Sequence, residues 1–373
     1  MRTAIIHYWL VGMRGGERVL ERLCRLYPDA DIFTHVYDPK SVSPYLRSRN
    51  IKTSFIQRLP FANRMYQKYL PLMPLALEEL NLEAYDLIIS SEAGPAKGVI
   101  PRPNATHVCY CHSPMRYIWD QYYCYKDASG FGTRASMPFL AHSLRNWDVT
   151  SAARVDTFVA NSHFVAQRIN KYYRRAANVV HPPVAVDLFH PSQERAPYFL
   201  WVGQLVPYKG GELAVRAFNK LKLPLLVVGR GSEEKKLKSI AGPNITFMHS
   251  MSLDQLRQAY AEAQALIFTA TEDFGIVPVE AQACGTPVIA YAAGGALETI
   301  VEGETGLLFE ERNEDSLIEA VEHFLQWKAH FDPGKAVNNA QHYRPEIFDR
   351  KFSALVAGAL SGRIREPISA LAS

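Results

Sequence analysis

The sequence predicts an α/β protein with two parallel-sheet domains, and two observations support this. Short apolar runs alternate with longer amphipathic stretches along all 373 residues, which is typical of parallel strands joined by helices. A polar segment bracketed by prolines, Pro191–Pro197, interrupts this alternation near the middle of the chain. Each half is long enough to form its own sheet and core.

Each half contains six predicted strands. They are Thr3–Tyr8, Asp31–Val36, Leu87–Ser90, His107–Cys111, Thr157–Ala160 and Asn178–Val180, then Tyr198–Gly203, Leu225–Gly229, Ile245–Met248, Ala265–Thr269, Val288–Ala290 and Gly306–Phe309. Helical patterns between or after them include Arg18–Leu26, Leu213–Lys220, Leu253–Ala261, Asp315–Trp327 and Phe352–Leu360. We therefore expect one Rossmann-like domain over residues 1–185 and another over 192–350. A helical segment over 351–373 is expected to pack back onto the first domain.

Composition excludes several classes of protein. Hydrophobic residues make up 48% and charged residues 21%, as in globular rather than disordered chains. The net charge of +4 is too small to indicate a nucleic-acid partner. Five cysteines without framework spacing indicate a reducing compartment. His7 breaks the first apolar run, and no apolar stretch reaches the ~20 residues of a membrane span, so we expect a cytoplasmic protein.

The strongest chemical signal is a loop with two glutamates, Glu272-Asp-Phe-Gly-Ile-Val-Pro-Val-Glu280. It follows a predicted strand, and Pro278 suits the first turn of the next helix. Backbone amides at a helix start can bind an anion or sugar oxygens. The alternative, two solvated surface charges, does not explain the Phe-Gly pair between the glutamates. We expect both carboxylates to hold hydroxyl groups of one ligand on either side of the amides.

Three further segments carry candidate ligand contacts. Lys209 precedes Gly210-Gly211 at the start of a predicted helix, where a cation beside exposed amides suits a diphosphate; a solvated turn is the alternative. The glycines Gly15 and Gly16 follow the first strand, where they let a ligand approach the backbone or simply form a tight turn. His112 ends an apolar strand, which is where ligands bind in open α/β sheets.

The cysteines near His112 raise the possibility of a zinc site. Cys109 and Cys111 lie two residues apart on a strand and face the same side, whereas His112 faces the other. A closed tetrahedral ligand set that also includes Cys124 does not form easily from this arrangement. We therefore predict no metal and no cofactor, and interpret the cysteines as core residues.

Together these segments resemble the retaining glycosyltransferases of family 4, which have the GT-B fold. The matching blocks also include Val159–His163, Val202–Lys209, Gly294-Gly295 with Glu298, and Gly303–Phe309. The resemblance implies two Rossmann-like domains whose parallel sheets face each other across a cleft, with the nucleotide-sugar donor held by the second. It also implies metal-independent transfer with retention of anomeric configuration.

The resemblance assigns a role to each matching residue. His112 and Glu272 would be catalytic: Glu272 would bind hydroxyls of the donor sugar and His112 would contact the sugar near its reacting carbon. The residues that would bind the rest of the donor are Gly15, Gly16, Lys209, Phe274, Gly275, Ile276, Val277 and Glu280. Of these, Glu280 would hold the ribose and Lys209 would neutralise the diphosphate. Gln204 stands where the family commonly has a second cation, and His181-Pro-Pro183 replaces its usual Asn-Gly.

The stretch His112-Ser-Pro-Met-Arg-Tyr-Ile-Trp-Asp120 is similar to one in bacterial mannosyltransferases that build O-antigen and exopolysaccharide from GDP-mannose. A UDP-sugar donor remains an alternative, as does a sugar-nucleotide epimerase of the same architecture, which converts its donor without an acceptor. A nicotinamide oxidoreductase is disfavoured because the sequence lacks Gly-x-Gly-x-x-Gly. A scaffold without activity is disfavoured by the intact set of candidate site residues.

A basic and apolar segment in the first half predicts membrane contact. Residues 40–77 contain seven Lys or Arg and no Asp or Glu, and within them Phe55–Met73 interleaves cations with large apolar side chains. Basic residues beside apolar anchors suit an anionic membrane surface. The alternative is a partly buried helix with incidental charge. We expect a lipid-linked or saccharide acceptor and peripheral docking at the inner membrane through Phe55–Met73.

Overall fold

The structure, a computed structural model, describes residues 1–127, 129–192 and 194–362. The chain divides into two compact units, one formed by residues 1–181 with 348 onwards and the other by 182–347. Each unit is an α/β domain with one parallel sheet. No helix among the described residues is both long enough and apolar enough to cross a bilayer.

The first unit contains a seven-stranded sheet in the order β3-β2-β1-β4-β5-β6-β7. Its strands are β1 (Thr3–His7), β2 (Asp31–Thr34), β3 (Ile51–Thr53), β4 (Leu87–Glu92), β5 (Thr106–Cys111), β6 (Thr157–Ala160) and β7 (Ala177–Val179). Its helices are α1 (Gly15–Leu26), α2 (Pro44–Arg47), α3 (Ala62–Met65), α4 (Met73–Glu78), α5 (Tyr122–Asp127), α6 (Phe131–Ala152) and α7 (His163–Tyr173). Short 3₁₀ helices span Phe55–Arg58 and Tyr66–Leu72. Strands β1, β4 and β5 are almost wholly buried, as expected where helices cover both faces of a parallel sheet.

The second unit contains a six-stranded parallel sheet in the order β10-β9-β8-β11-β12-β13. Its strands are β8 (Phe199–Val202), β9 (Leu225–Val228), β10 (Ile245–Met248), β11 (Leu266–Phe268), β12 (Val288–Tyr291) and β13 (Gly306–Phe309). The helices are α8 (Gly211–Leu221), α9 (Glu234–Ile240), α10 (Leu253–Glu262), α11 (Ile276–Ala283), α12 (Ala296–Thr299), α13 (Glu314–Trp327) and α14 (Pro333–Gln341). Further 3₁₀ helices span Val186–Leu188, Pro207–Lys209 and Lys328–His330.

The last described helix, α15 (Pro345–Leu360), packs on the sheet of the first unit. Phe348 and Phe352 stack on each other with their ring centroids 5.5 Å apart, and both meet the buried ring of Tyr110 edge-on. Arg22 on α1 donates to Asp349 through Nε at 2.7 Å. Burying each phenylalanine stabilises this packing by roughly 1.5–3 kcal/mol. Residues 363–373 of the predicted terminal segment lie outside the described residues.

The prediction of two Rossmann-like parallel sheets is confirmed, and the differences from it are local. The sequence pattern missed the edge strand β3 and the 22-residue helix α6. It also placed Gly15 and Gly16 before the first helix, whereas they are its first two residues. Glycine has a low helix propensity, so its presence favoured a loop assignment that the hydrogen bonds of α1 override.

Candidate functional site

The loop after β8 is fixed by side chains from elsewhere in the second unit. The Thr269 hydroxyl lies 3.0 Å from the Lys209 carbonyl oxygen and 2.9 Å from that of Gly210. Arg312 donates to the carbonyl oxygens of Tyr208 at 2.7 Å and of Thr269 at 3.2 Å. Gly210 has φ +73°, and a Cβ there would lie 2.9 Å from the Thr269 carbonyl oxygen, so only glycine suits this turn. The backbone around Lys209 is thereby held in one conformation.

The loop after β11 carries the predicted Glu272–Val277 segment and is braced by two glycines. Glu272 pairs with Gly294 as an isolated parallel bridge, and its carbonyl oxygen accepts a hydrogen bond from the Gly295 amide at 2.9 Å. A Cβ on Gly295 would lie 2.1 Å from the Phe274 carbonyl oxygen. The Gly294-Gly295 pair noted in the sequence therefore supports the Glu272 loop from behind.

Phe274 and Gly275 set the start of helix α11. The Phe274 ring is buried and meets Tyr343 with centroids 5.3 Å apart, which anchors the loop. Gly275 is the N-cap residue with φ +88°, a backbone conformation that favours glycine. The following amides of Ile276 and Val277 occupy the first helical turn, where backbone N–H groups lack intrahelical acceptors. This is the geometry that binds anions or sugar oxygens.

Lys209 and Glu272 meet in an ion pair. Their side chains are 22% and 20% exposed, so the pair lies at the surface of the second unit within reach of a ligand. The sequence assigned the two residues separate contacts and did not predict this pairing. A diphosphate approaching Lys209 would compete with Glu272 for the same ammonium group.

Glu280 occupies a more enclosed position. The sequence pattern predicts it in the first turn of its helix, but α11 begins at Ile276, so Glu280 opens the second turn. The side chain is 7% exposed, and Oε2 accepts a hydrogen bond from the Tyr260 hydroxyl at 3.0 Å. Tyr260 therefore helps to orient the Glu280 carboxylate. Sequence reasoning missed Tyr260 because it lies on α10, with no motif around it.

In the first unit, His112 and Gly16 lie beside each other. His112 follows β5, its amide donates to the Glu92 carbonyl oxygen at 2.8 Å, and its Nε2 lies 2.8 Å from Ser91 Oγ. A Cβ on Gly16 would be 3.8 Å from His112 Nε2 and 2.3 Å from the Tyr8 hydroxyl oxygen. Glycine at position 16 therefore allows the start of α1 to approach His112. Gly15 is the residue before it in the same turn.

A buried charge cluster lies behind the His112 segment. The ammonium of Lys97 is 3.3 Å from a Glu92 carboxylate oxygen and also pairs with Asp148, and all three side chains are fully buried. Burial raises the pKa of Glu92. Burial alone would lower the pKa of Lys97, but the Asp148 and Glu92 carboxylates raise it above its ordinary value.

This cluster also fixes the segment after His112. Asp148 accepts a hydrogen bond from Trp119 Nε1 at 2.7 Å. Arg168 donates to the Ser113 hydroxyl at 2.8 Å and pairs with Asp120. Removing one partner of a buried ion pair is strongly destabilising. We therefore expect these contacts to fix the position of residues 112–120. Sequence reasoning missed Lys97 and Asp148, since single charged residues in amphipathic stretches normally face solvent.

Among the described residues, no group of three His, Cys, Asp or Glu side chains is placed to hold a metal ion. Cys109 and Cys111 are buried on β5, but Cys124 is exposed on α5, so its assignment to the core was wrong. That helix presents Cys124 to solvent between two exposed tyrosines. The sequence has one Asp-x-Asp pattern, Asp29-Ala30-Asp31. Asp31 accepts hydrogen bonds from Arg2 and Lys52 at 3.2 and 3.1 Å, as in a structural ion-pair cluster.

The predicted membrane segment exposes its cations, whereas part of its apolar side, including Ile56 and Met73, is buried in the first unit. Arg58, Arg64 and Lys68 are all exposed, and Phe61 is 74% exposed. Leu70 packs on an apolar cluster that also contacts Met137 of α6. Phe131 and Phe139, on either side of Met137 in α6, are 91% and 80% exposed. Large exposed apolar side chains of this kind often mark a surface that meets a partner.

Comparison with known proteins finds a family likeness in both halves of the chain. Residues 13–188 match the family model described as Glycosyltransferase Family 4, and residues 188–341 match the one described as Glycosyl transferases group 1. D-inositol 3-phosphate glycosyltransferase of Mycobacterium leprae is 30% identical over 200 residues, which cover 47% of each chain. That of Mycobacteroides abscessus is 32% identical over 171 residues, 40% of this chain and 39% of the relative. The chain thus spans about half the length of the curated relatives it matches.

Solved structures extend the likeness to the whole chain. Sucrose-phosphate synthase from Thermosynechococcus elongatus superimposes with a TM-score of 0.70 at 20% identity, covering 97% of this chain and 100% of that one. Anabaena HepE in complex with UDP gives 0.71 at 17% identity, covering 96% and 100%. The chain therefore has the GT-B fold. Its first half is similar to the family 4 glycosyltransferases and its second half to the group 1 glycosyltransferases.

Proposed function

We propose that this protein is a retaining glycosyltransferase that moves a hexose from a nucleotide sugar to a lipid-linked or polysaccharide acceptor. The observation that carries this proposal is the meeting of Lys209 and Glu272, which lie in the loops after the neighbouring strands β8 and β11 of the second unit. Helices α8 and α11 follow these loops, so their first backbone amides lie at the carboxyl end of the parallel sheet, where a diphosphate and a sugar would find donors. The family matches over residues 13–341 support the same activity.

In this proposal, catalysis depends on charge stabilisation. Negative charge grows on the diphosphate as the bond to the sugar breaks, and Lys209 together with the α11 amides stabilises it. Glu272 holds sugar hydroxyls, and Glu280, oriented by Tyr260, holds the ribose. His112 contacts the sugar near its reacting carbon, as the resemblance implies. The departing phosphate oxygen takes the proton of the acceptor hydroxyl, so the reaction needs neither metal nor cofactor.

We propose α-mannose from GDP-mannose as the donor, on the likeness of residues 112–120 to bacterial mannosyltransferases. Solved structures of HepE contain UDP or UDP-glucose, and a UDP-sugar is the alternative. A panel of nucleotide sugars, assayed for nucleoside diphosphate release without acceptor, separates these donors. Release from GDP-mannose alone supports the proposal, and release from UDP-sugars alone replaces the donor. Conversion of a donor to an epimer without release would identify an epimerase.

We also propose that the first unit docks on an anionic membrane, where a lipid-linked acceptor would lie. The surface from Phe55 to Met73 combines exposed Arg58, Arg64 and Lys68 with exposed Phe61. At about 1 kcal/mol for each cation near the surface, the three supply about 3 kcal/mol, enough for reversible docking. Since Leu70 and Met137 border one apolar cluster, we infer that the exposed aromatics of α6 belong to the same surface.

Co-sedimentation with vesicles tests this docking. Wild type should bind vesicles containing anionic lipid at low salt and release at high salt. The Arg58/Arg64/Lys68 triple-glutamate variant should bind much less. A triple-glutamate variant of Lys220, Lys236 and Lys335, exposed cations of the second unit, is the matched control for net charge. Equal partitioning of wild type and the first variant would remove Phe55–Met73 from the mechanism.

A further inference from the structure

Two buried residues connect to His112 through a chain of hydrogen bonds. His7 Nδ1 lies 3.1 Å from Ser91 Oγ, and the same oxygen lies 2.8 Å from His112 Nε2. His7 ends β1 and Ser91 lies on β4, where the two are register partners, so their side chains project from the same face of the sheet. His7 is 1% exposed and Ser91 is fully buried. A single buried hydroxyl therefore bridges two imidazoles, of which that of His7 is buried and that of His112 is partly exposed.

Counting the hydrogens shared by His7, Ser91 and His112 favours one arrangement of donors and acceptors. A serine hydroxyl has one hydrogen, and a neutral imidazole carries its proton on one of two nitrogens. His7 Nε2 is buried without a hydrogen-bond partner among the described residues. A proton on that nitrogen would leave a buried N–H unpaired, which is rare in folded proteins. The proton of His7 is therefore placed on Nδ1, from which it is donated to Ser91 Oγ.

With Nδ1 of His7 donating, the Ser91 hydroxyl is free to donate to Nε2 of His112. If His112 Nε2 were protonated as well, the Ser91 hydrogen would have no acceptor among the described residues, because the hydrogen bonds of its hydroxyl are those to the two histidines. A buried hydroxyl without an acceptor is costly. Burial, and the charge of His112 when protonated, both lower the pKa of His7, which is consistent with a neutral His7.

We propose that His7 and Ser91 are positioning residues that hold the His112 imidazole in the tautomer protonated on Nδ1. This rests on the proposed function, in which His112 contacts the donor sugar. The tautomer gives His112 a hydrogen-bond donor on its Nδ1 side, suited to a sugar hydroxyl or ring oxygen. Tyr110, whose ring meets His112 edge-on at 5.0 Å, restricts the ring further. An orienting partner behind a functional histidine commonly fixes which nitrogen is protonated.

The test uses a pair of adjacent serines. Ser91→Ala removes the bridge, and Ser91→Thr keeps the hydroxyl. Ser90→Ala is the matched control, because Ser90 is equally buried on β4 and its Oγ lies 2.9 Å from His107 Nε2. It removes a buried Ser–His hydrogen bond of the same kind on the other side of the strand. Long-range proton–nitrogen correlation spectra of protein labelled with ¹⁵N-histidine report the tautomer, and the His112→Gln spectrum identifies the His112 signals.

We expect wild type and Ser91→Thr to show His112 protonated on Nδ1 alone. Ser91→Ala should show a mixture of tautomers, and Ser90→Ala should leave the His112 signals unchanged. With the donor found in the panel assay, Ser91→Ala should lower kcat about 10-fold with little change in KM, as loss of an orienting partner commonly does. A wild-type His112 protonated on Nε2, or a tautomer unaffected by Ser91→Ala, would overturn the proposal. The spectra need no turnover, so absence of transferase activity would refute the proposed function without deciding this one.

Discussion

Replacing Lys209 with alanine separates a catalytic role of the Lys209–Glu272 pair from a structural one. Both side chains are about one-fifth exposed, and partly exposed pairs contribute about 0–1 kcal/mol to folding. Removing one preorganised group that stabilises developing charge costs about 10²–10³-fold in rate, or about 2.7–4 kcal/mol. We therefore expect Lys209→Ala to lose far more transition-state stabilisation than folding stability.

The assay measures kcat for nucleoside diphosphate release and the urea midpoint of the same preparations. Lys236→Ala is the matched control, since Lys236 also pairs with a glutamate, Glu212, at the surface of the second unit. The control should keep wild-type turnover and a similar midpoint. A Lys209→Ala variant that keeps more than about a third of wild-type turnover would refute the assignment, because the expected loss is at least about 100-fold.

Three other predictions address the metal, the ribose contact and the buried His107. Turnover should persist in EDTA, and complete loss that Mg²⁺ or Mn²⁺ restores would contradict a metal-independent site. Glu280→Gln should weaken nucleotide binding about 10-fold or more without unfolding the protein, and Tyr260→Phe should do so less; unchanged calorimetric affinity would make Glu280 a structural residue. Burial lowers the pKa of His107 to about 4. As the pH falls below about 6.5, this histidine therefore binds a proton in the unfolded chain before it does so in the folded one, and the free energy of unfolding decreases. Between pH 7.5 and 5.5, urea unfolding of wild type should lose about 1.4 kcal/mol more than that of His107→Gln, and equal losses would exclude the shift.

Much of the fold could be predicted because parallel strands buried on both faces appear as uninterrupted apolar runs. Thr157–Ala160, Ile245–Met248 and Gly306–Phe309 have the predicted bounds. The edge strand β3 escaped because Ile51–Thr53 is short and only partly buried. Helix α6 escaped because nine of its first ten residues are exposed, so this part lacks the apolar stripe that marks an amphipathic helix.

The candidate site was predictable only where a motif brings its own local geometry. The Glu272–Glu280 segment follows a strand and opens a helix in both the prediction and the structure, because glycine and proline fix those turns locally. The partners of these residues come from distant parts of the chain. Tyr260, Arg312 and Ser91 each act through a tertiary contact, which periodicity and composition do not encode.

Calorimetric titration of the full chain with GDP and UDP, each compared with its nucleoside, tests the central claim most directly. We expect wild type to bind one nucleoside diphosphate per chain. We also expect Lys209→Ala to weaken diphosphate binding and to leave nucleoside binding unchanged. Absence of binding by both diphosphates, or equal weakening of diphosphate and nucleoside, would contradict a donor site built around Lys209 and Glu272.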